Sequence, residues 1–203
     1  YAEDVEEGNR AISFVVNVVR FAVEILAGVP SIIFGLFGYA LFVSAKALGW
    51  GFSLRSAAAA GACLVLPVII RASEEAIRAV PQSYRHASLA LGATKWQTVW
   101  KVVLPAAAPG IVTGIVLSVG RVVSETAVFY VTFGGTVRAP DTLFDLTSPG
   151  RSMALHVFYL AMETRAFEKA MGTATILIVT IVFINLAINF ITRRMTAALR
   201  EER

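Results

Sequence analysis

Residues 171–192 read MGTATILIVTIVFINLAINFIT, an apolar run without a single Asp, Glu, Lys or Arg. About 20 mostly apolar residues in helical conformation cross the ~30 Å hydrocarbon core of a bilayer, so this run predicts a transmembrane helix. The composition around it agrees. Of 203 residues, 57% are hydrophobic and only 16% charged, with a mean hydropathy of +0.70, whereas a soluble domain carries about 25% charged residues. Helices satisfy every backbone group internally, which lipid demands, and the chain therefore reads as an all-α, polytopic membrane helical bundle in one domain.

Three further stretches have span-like character. Val29 to Ala45 is uncharged and reaches Lys46, which can snorkel outward. Ser56 to Ile70 is bracketed by Arg55 and Arg71 and contains Pro67, which a bundle tolerates where neighbours satisfy the freed carbonyl. Pro105 to Phe133 is long enough but carries Arg121 and Glu125. The expected spans are about 29–48, 54–71, 105–133 and 171–192. Basic residues resist translocation. Arg71, Arg78, Arg85, Lys95 and Lys101 therefore place the connection 73–104 in the cytoplasm, and Arg193, Arg194, Arg200 and Arg203 place the C-terminus there too. In 134–170, Arg138, Arg151, Arg165 and Lys169 balance Asp141, Asp145, Glu163 and Glu168, so this segment falls outside by elimination. The net charge of +4, from 18 Lys+Arg against 14 Asp+Glu, thus reads as topology, and no nucleic-acid partner is expected. The lone Cys63 forms no intrachain disulfide and says little about redox compartment.

Before the first span, Ser13, Asn17, Arg20 and Glu24 recur at spacings of 4, 3 and 4, one narrow face of a helix otherwise filled by Val, Ile, Phe and Leu. The pattern predicts an interfacial helix over 11–27 lying on membrane lipid at the cytoplasmic surface, until Gly28-Val29-Pro30 turns the chain inward. The alternative is a packed bundle helix with an Arg20–Glu24 pair at i,i+4. The chain opens at Tyr1 with Glu3, Asp4, Glu6 and Glu7 and has no basic n-region. No signal peptide is expected, and the sequence reads as an N-terminally incomplete piece.

The connection 73–104 reads as two short helices. Pro81 suits a first turn, Tyr84, Arg85, Ala87 and Leu91 follow, and Gly92 supplies a left-handed stop. Thr94 with Gln97 three residues on is a capping box ahead of Trp96, Val99 and Trp100, and Pro105 marks the return to the membrane. Such a helix-turn-helix fits a partner's groove. On composition alone, a pair of interfacial helices with Trp96 and Trp100 at headgroup level serves equally well.

No phosphate-binding Gly-x4-Gly-Lys-Ser/Thr, His-Glu-x2-His, Cys-x2-Cys or Gly-x-Ser-x-Gly occurs, and His86 and His156 are far apart, so no catalytic residue and no metal site is expected. Arg121 and Glu125 stand four apart, expected on one helical face inside a span, where an unpaired charge costs about 2.5–3.5 kcal/mol. Two readings stand: Arg121 lines a water-filled pathway and binds an oxyanion, or the two form a structural ion pair. Asn185 and Asn189 read as interhelical hydrogen-bonding groups, Gly110-x3-Gly114 as a close helix contact, and Arg71 as a snorkelling residue.

His86-Ala87-Ser88, then Gly92, then Val102-Val103-Leu104-Pro105 resembles the signature of ABC importer permeases: Glu-Ala-Ala, three residues, Gly, nine residues, Ile-x-Leu-Pro. The spacing is kept, and His86 stands where the signature has Glu. Glu24 to Gly38 (EILAGVPSIIFGLFG), Arg71 to Ala76 and Gly120 to Ala127 extend the resemblance to phosphate-specific permeases of the A type. The resemblance implies a type I importer fold whose 73–104 helix-turn-helix couples to an ATPase through Arg85, His86, Ala87, Ser88, Leu91, Gly92 and Ala93. It implies a second permease subunit, two cytoplasmic ATPases that use ATP and Mg, an external phosphate-binding protein and a bacterial inner-membrane location. It makes this chain a non-enzymatic subunit without a cofactor of its own, and it favours Arg121 and Glu125 as pathway residues. The competing functions are a permease for another anion, the C-type partner subunit, an ATP-independent secondary carrier with Arg121–Glu125 as its switch, and a membrane scaffold.

Overall fold

The computed structural model describes residues 10–45, 48–137 and 145–201. Outside them lie the acidic start Glu3 to Glu7, Lys46 near the end of the first expected span, Arg138 and Asp141 of the segment expected outside, and Arg203 of the basic tail. Among the described residues all regular structure is helical, apart from one isolated bridge between Gly134 and Gly150.

The first helix, α1 (Arg10–Gly28), ends where Val29 precedes Pro30, because proline disfavours helical geometry in the residue before it. Pro30 at φ −57° and ψ 138° then starts α2 (Ser31–Gly38), which runs on through a π-turn at Tyr39–Val43. The two arms meet at 106°. The eight residues of α2 and the five of its π-turn extend only about 20 Å at 1.5 Å per residue, so the stretch expected to cross at 29–48 is too short to do so alone. Among the described residues three helices are long and apolar enough to cross, or four if α1 and α2 are the arms of one broken span.

Helix α3 (Leu54–Arg78) is the axis of the molecule. The Ser53 hydroxyl accepts from the Ser56 amide at 3.3 Å and caps its start. Two more of its unpaired N–H groups are satisfied from afar, Leu54 donating to the Ser148 carbonyl at 3.1 Å and Arg55 to the Leu146 carbonyl at 2.9 Å. The helix continues past the expected limit at residue 71, so the start of the 73–104 connection is its last turns. Between α3 and α6 (Leu104–Val123), small residues let the backbones approach: a Cβ on Gly110 would sit 2.6 Å from the Ala76 Cβ, and one on Gly114 2.5 Å from the Ala72 Cβ. Lipid tails are as apolar as leucine, so such close packing, rather than the hydrophobic effect, holds helices together here.

The connection does not contain two separate helices. α4 (Gln82–Ala90) is distinct, but α5 (Lys95–Thr98) passes through a π-turn at Val99–Val103 into α6, so that Lys95–Val123 is one helix. Pro105 does not break it, because the widened turn just before the ring relieves its clash with the preceding carbonyls.

The span expected over 105–133 is interrupted. α6 closes at Val123, Ser124 to Thr126 leave the helical path, and α7 (Ala127–Thr132) follows as a separate helix. The segment 134–170, expected outside, is more than a loop: among its described residues it packs a helix against the core. Ser152 caps α8 (Met153–Phe158), which continues as a π-turn through Glu163, and its Leu155 is fully buried. Phe34, Ala57, Ala60, Leu64, Val128, Phe129 and Leu155 form one core cluster, uniting α2, α3, α7 and α8. A second, formed by Val80, Val103 and Ala107, closes the other end of α3. The last helix, α9 (Phe167–Glu201), begins before the expected Met171, and from Met171 to Phe190 every residue is exposed or half-buried.

Candidate functional site

Two places carry the chemistry, one at the Arg78 end of α3 and one near the end of α6. At the first, α4 stops as its composition predicts. Leu91 is 89% exposed, and Gly92 takes φ +84°, a conformation L side chains resist. The Thr94 hydroxyl accepts from the Gln97 backbone amide at 3.2 Å, and the Gln97 side-chain Oε1 accepts from the Thr94 amide at 2.9 Å, completing the capping box. His86, Ala87, Leu91 and Gly92 are exposed, so the turn presents a small apolar tip with one imidazole beside it. Trp96 and Trp100, 69% and 55% exposed, pack edge to face at 5.7 Å on the adjoining turn.

The other residues of this group face inward. Arg85 is 7% exposed, and its Nη2 donates to the Ile77 carbonyl at 2.9 Å, in the last turn of α3. The Thr98 hydroxyl donates to the Thr94 carbonyl at 3.1 Å, which leaves the Ser88 hydroxyl to donate to Thr98 Oγ1 at 3.0 Å. Ala93 is half-buried. Arg85 and Ser88 thus tie α4 to α3 and α5 rather than offering themselves to a partner.

Beside this module, Glu74 of α3 holds Arg20 of α1 at 2.7 Å and Arg78 at 3.0 Å, and Arg71 meets Glu75 at 3.4 Å. The pairing weighed in the sequence, Arg20 with Glu24, does not form; Arg20 reaches across 54 residues instead.

At the second place the expected Arg121–Glu125 face does not exist. α6 ends two residues after Arg121, where the Ser124 hydroxyl bonds the Gly120 and Arg121 carbonyls. Glu125 lies past that end, and its Oε1 accepts from the Ala127 and Val128 amides at 3.1 and 3.4 Å, capping α7. Its carboxylate is occupied by a helix start, not by Arg121. Arg121 is half-buried and has no ion-pair partner among the described residues. The Asn185 side chain of α9 lies against Gly120, 3.6 Å from where a Cβ would stand, and adds a polar group one residue from Arg121. Its apolar surroundings in 171–192 were the available signal.

At the Ser53 end, Asp145 accepts from the Ser148 hydroxyl, from the Thr147 hydroxyl at 2.6 Å and from the Thr147 amide at 2.8 Å. These donors, the Ser148 hydroxyl foremost, hold its carboxyl down at about 2, so it is charged at any physiological pH. A cavity of about 320 Å³ opens beside it, lined by Leu54, Phe133, Arg151 and His156 among others. Arg151 stacks its guanidinium 4.8 Å from the Tyr159 ring centroid.

Comparison with known proteins gives this geometry relatives. The family described as "Binding-protein-dependent transport system inner membrane component" matches residues 8–201. The chain is 33% identical over 186 residues to "Probable ABC transporter permease protein YqgI" of Bacillus subtilis (strain 168), covering 85% of this chain and 63% of that protein. It is 39% identical over 171 residues to "Phosphate transport system permease protein PstA 1" of Mycobacterium tuberculosis (strain CDC 1551 / Oshkosh), covering 84% of this chain and 56% of that protein. The chain thus spans less than two thirds of the length of these curated relatives. Among solved structures, a chain of the MetNI methionine ABC transporter in an inward-facing conformation matches with a TM-score of 0.67 at 24% identity, over 96% of this chain and 81% of that one. That likeness concerns the fold, which is the type I ABC importer permease fold.

Proposed function

The chain belongs to the family of binding-protein-dependent transport system inner membrane components, and on that premise we propose that it forms half of an ATP-driven import pathway for inorganic phosphate. The observation that carries the substrate side is Arg121, a half-buried guanidinium near the end of a membrane-length helix, with no acidic partner among the described residues. A cation left unpaired at such depth is costly unless it faces water or an anion. An oxyanion entering the pathway loses hydration, and a planar fork replaces part of it with two charge-assisted hydrogen bonds. Asn185 adds a neutral donor nearby. The attraction has to stay weak enough for release, which a single arginine beside a neutral amide achieves. Glu125, engaged at α7, sets where the pathway wall turns rather than tempering the charge. The names of the phosphate-system relatives support phosphate as the anion.

The exposed tip from His86 to Gly92 would dock on one of two separate cytoplasmic ATPases, a second permease subunit would complete the pathway, and an external binding protein would deliver phosphate. The 73–104 connection and the C-terminus would then be cytoplasmic, with the 145–150 turn outside.

Phosphate uptake by vesicles holding the complete complex, with and without ATP, tests the reading. Arg121→Gln should lower uptake at least 100-fold while assembly and basal ATP hydrolysis persist, and Arg121→Lys should restore only part. Uptake that stays within twofold in Arg121→Gln, or that proceeds without ATP, would overturn the proposal.

A further inference from the structure

Beyond the docking tip itself, the structure raises the question of how a push on α4 reaches the far side. Helix C-termini leave their last carbonyls unpaired and carry partial negative charge. α3 ends at Arg78, and the Ile77 carbonyl, which the Val80 amide reaches at 3.4 Å, also accepts from Arg85 at 2.9 Å. A buried guanidinium is costly without such partners, so the bond fixes the position of α4 against α3. Three other ties fasten the same turns of α3: the Arg20–Glu74 pair, the close approach of Ala76 to Gly110, and the Val80–Val103–Ala107 cluster. α3 is one unbroken helix about 37 Å long at 1.5 Å per residue. Its first amides hold the carbonyls of Leu146 and Ser148 at the other end.

We infer that Arg85 is a positioning residue that clamps the docking helix α4 to α3, so that movement of α4 is delivered along α3 to the 145–150 turn. The inference rests on the proposed docking of α4 on an ATPase, but it assigns Arg85 to the permease's own transmission and not to the ATPase contact. α3 works as a rod: its inner end is held by the Arg85 guanidinium, and its outer end carries the turn whose carbonyls cap it. Arg85→Met keeps the stem's apolar volume and loses both the donor and the charge. Arg85→Lys keeps the charge and loses the planar fork.

The test uses the full-length protein in its complete complex in nanodiscs, with Cys63→Ser and a reporter thiol at Leu146→Cys, an exposed position on the far turn. The rate of labelling by an impermeant maleimide is read with and without ATP. In the otherwise native complex the rate should change at least fivefold on adding ATP. In Arg85→Met the ATPase should still copurify, while the ATP-dependent change falls below 1.5-fold, and Arg85→Lys should lie between. If Arg85→Met retains the full change, or if it releases the ATPase, the inference is wrong. If Arg85→Met does not accumulate, Arg85→Lys decides: an intermediate response supports the clamp, and a native response makes Arg85 a folding residue only. A wild-type complex that shows the ATP-dependent change but no phosphate uptake would refute the proposed substrate and leave the clamp standing.

Discussion

Arg121 and Glu125 show how far a spacing argument goes at the scale of one residue. Four apart in an apolar run, they read as partners on one helix face, yet Ser124 ends the helix between them and Glu125 turns to the amides of Ala127 and Val128. The interruption was hard to see, because Ser-Glu-Thr inside Val122 to Phe133 also fits a continuous helix, and nothing as strong as Gly or Pro marks the stop. The geometry makes the two residues independent. Glu125→Ala should cost about 1 kcal/mol by removing a helix cap, and its effect should add to that of Arg121→Gln instead of cancelling it. A double-mutant cycle on thermal stability and uptake reads this directly, with a coupling energy above about 1 kcal/mol counting against it. Gly92 is the opposite case, legible from sequence and left-handed in the structure. No atom lies within 4 Å of a Cβ placed there, so Gly92→Ala tests backbone strain alone. It should destabilise the α4–α5 turn by about 1–2 kcal/mol, seen as weaker ATPase copurification with unchanged insertion.

At the scale of elements, the long apolar runs were readable because length and uniform hydropathy suffice, as for α3 and α9. What escaped were elements whose signal is split or short. α8 is too brief to resemble a span, and its burial depends on core partners far away in sequence, Phe34 and Val128 among them. The fusion of α5 with α6 ran against Pro105, which reads as a break unless a π-turn precedes it. The Gly110-x3-Gly114 spacing did announce close packing, and the structure supplies its partner as Ala72 and Ala76. Gly114→Val should therefore force α3 and α6 apart, at a cost of about 1–3 kcal/mol for overpacking. A lower melting temperature in detergent, with Ile115→Val as an exposed control that leaves it unchanged, would check this.

For the whole molecule, the helix endpoints divide the exposed loops into two sets, the α4–α5 turn at one end of α3 and the 145–150 turn at the other. The basic excess in the first predicts that it stays in the cytoplasm. A thiol at Leu146→Cys should react with an impermeant reagent added outside intact cells, and one at Gln82→Cys should react only after permeabilisation; reversed labelling would invert the molecule. The helix Lys95–Val123 has 29 residues, and it joins the α4–α5 turn to Arg121 through the π-turn at Val99–Val103. Arg121 stands roughly 39 Å along it from Lys95 at 1.5 Å per residue. On a lever arm of that length a tilt of about 5° sweeps the far end through about 3 Å, whereas a hydrogen bond is lost once its ~2.9 Å length grows to ~3.6 Å. If Arg121 holds an anion as proposed, an angular change too small to disturb the packing of any one turn is thus enough to let that anion go.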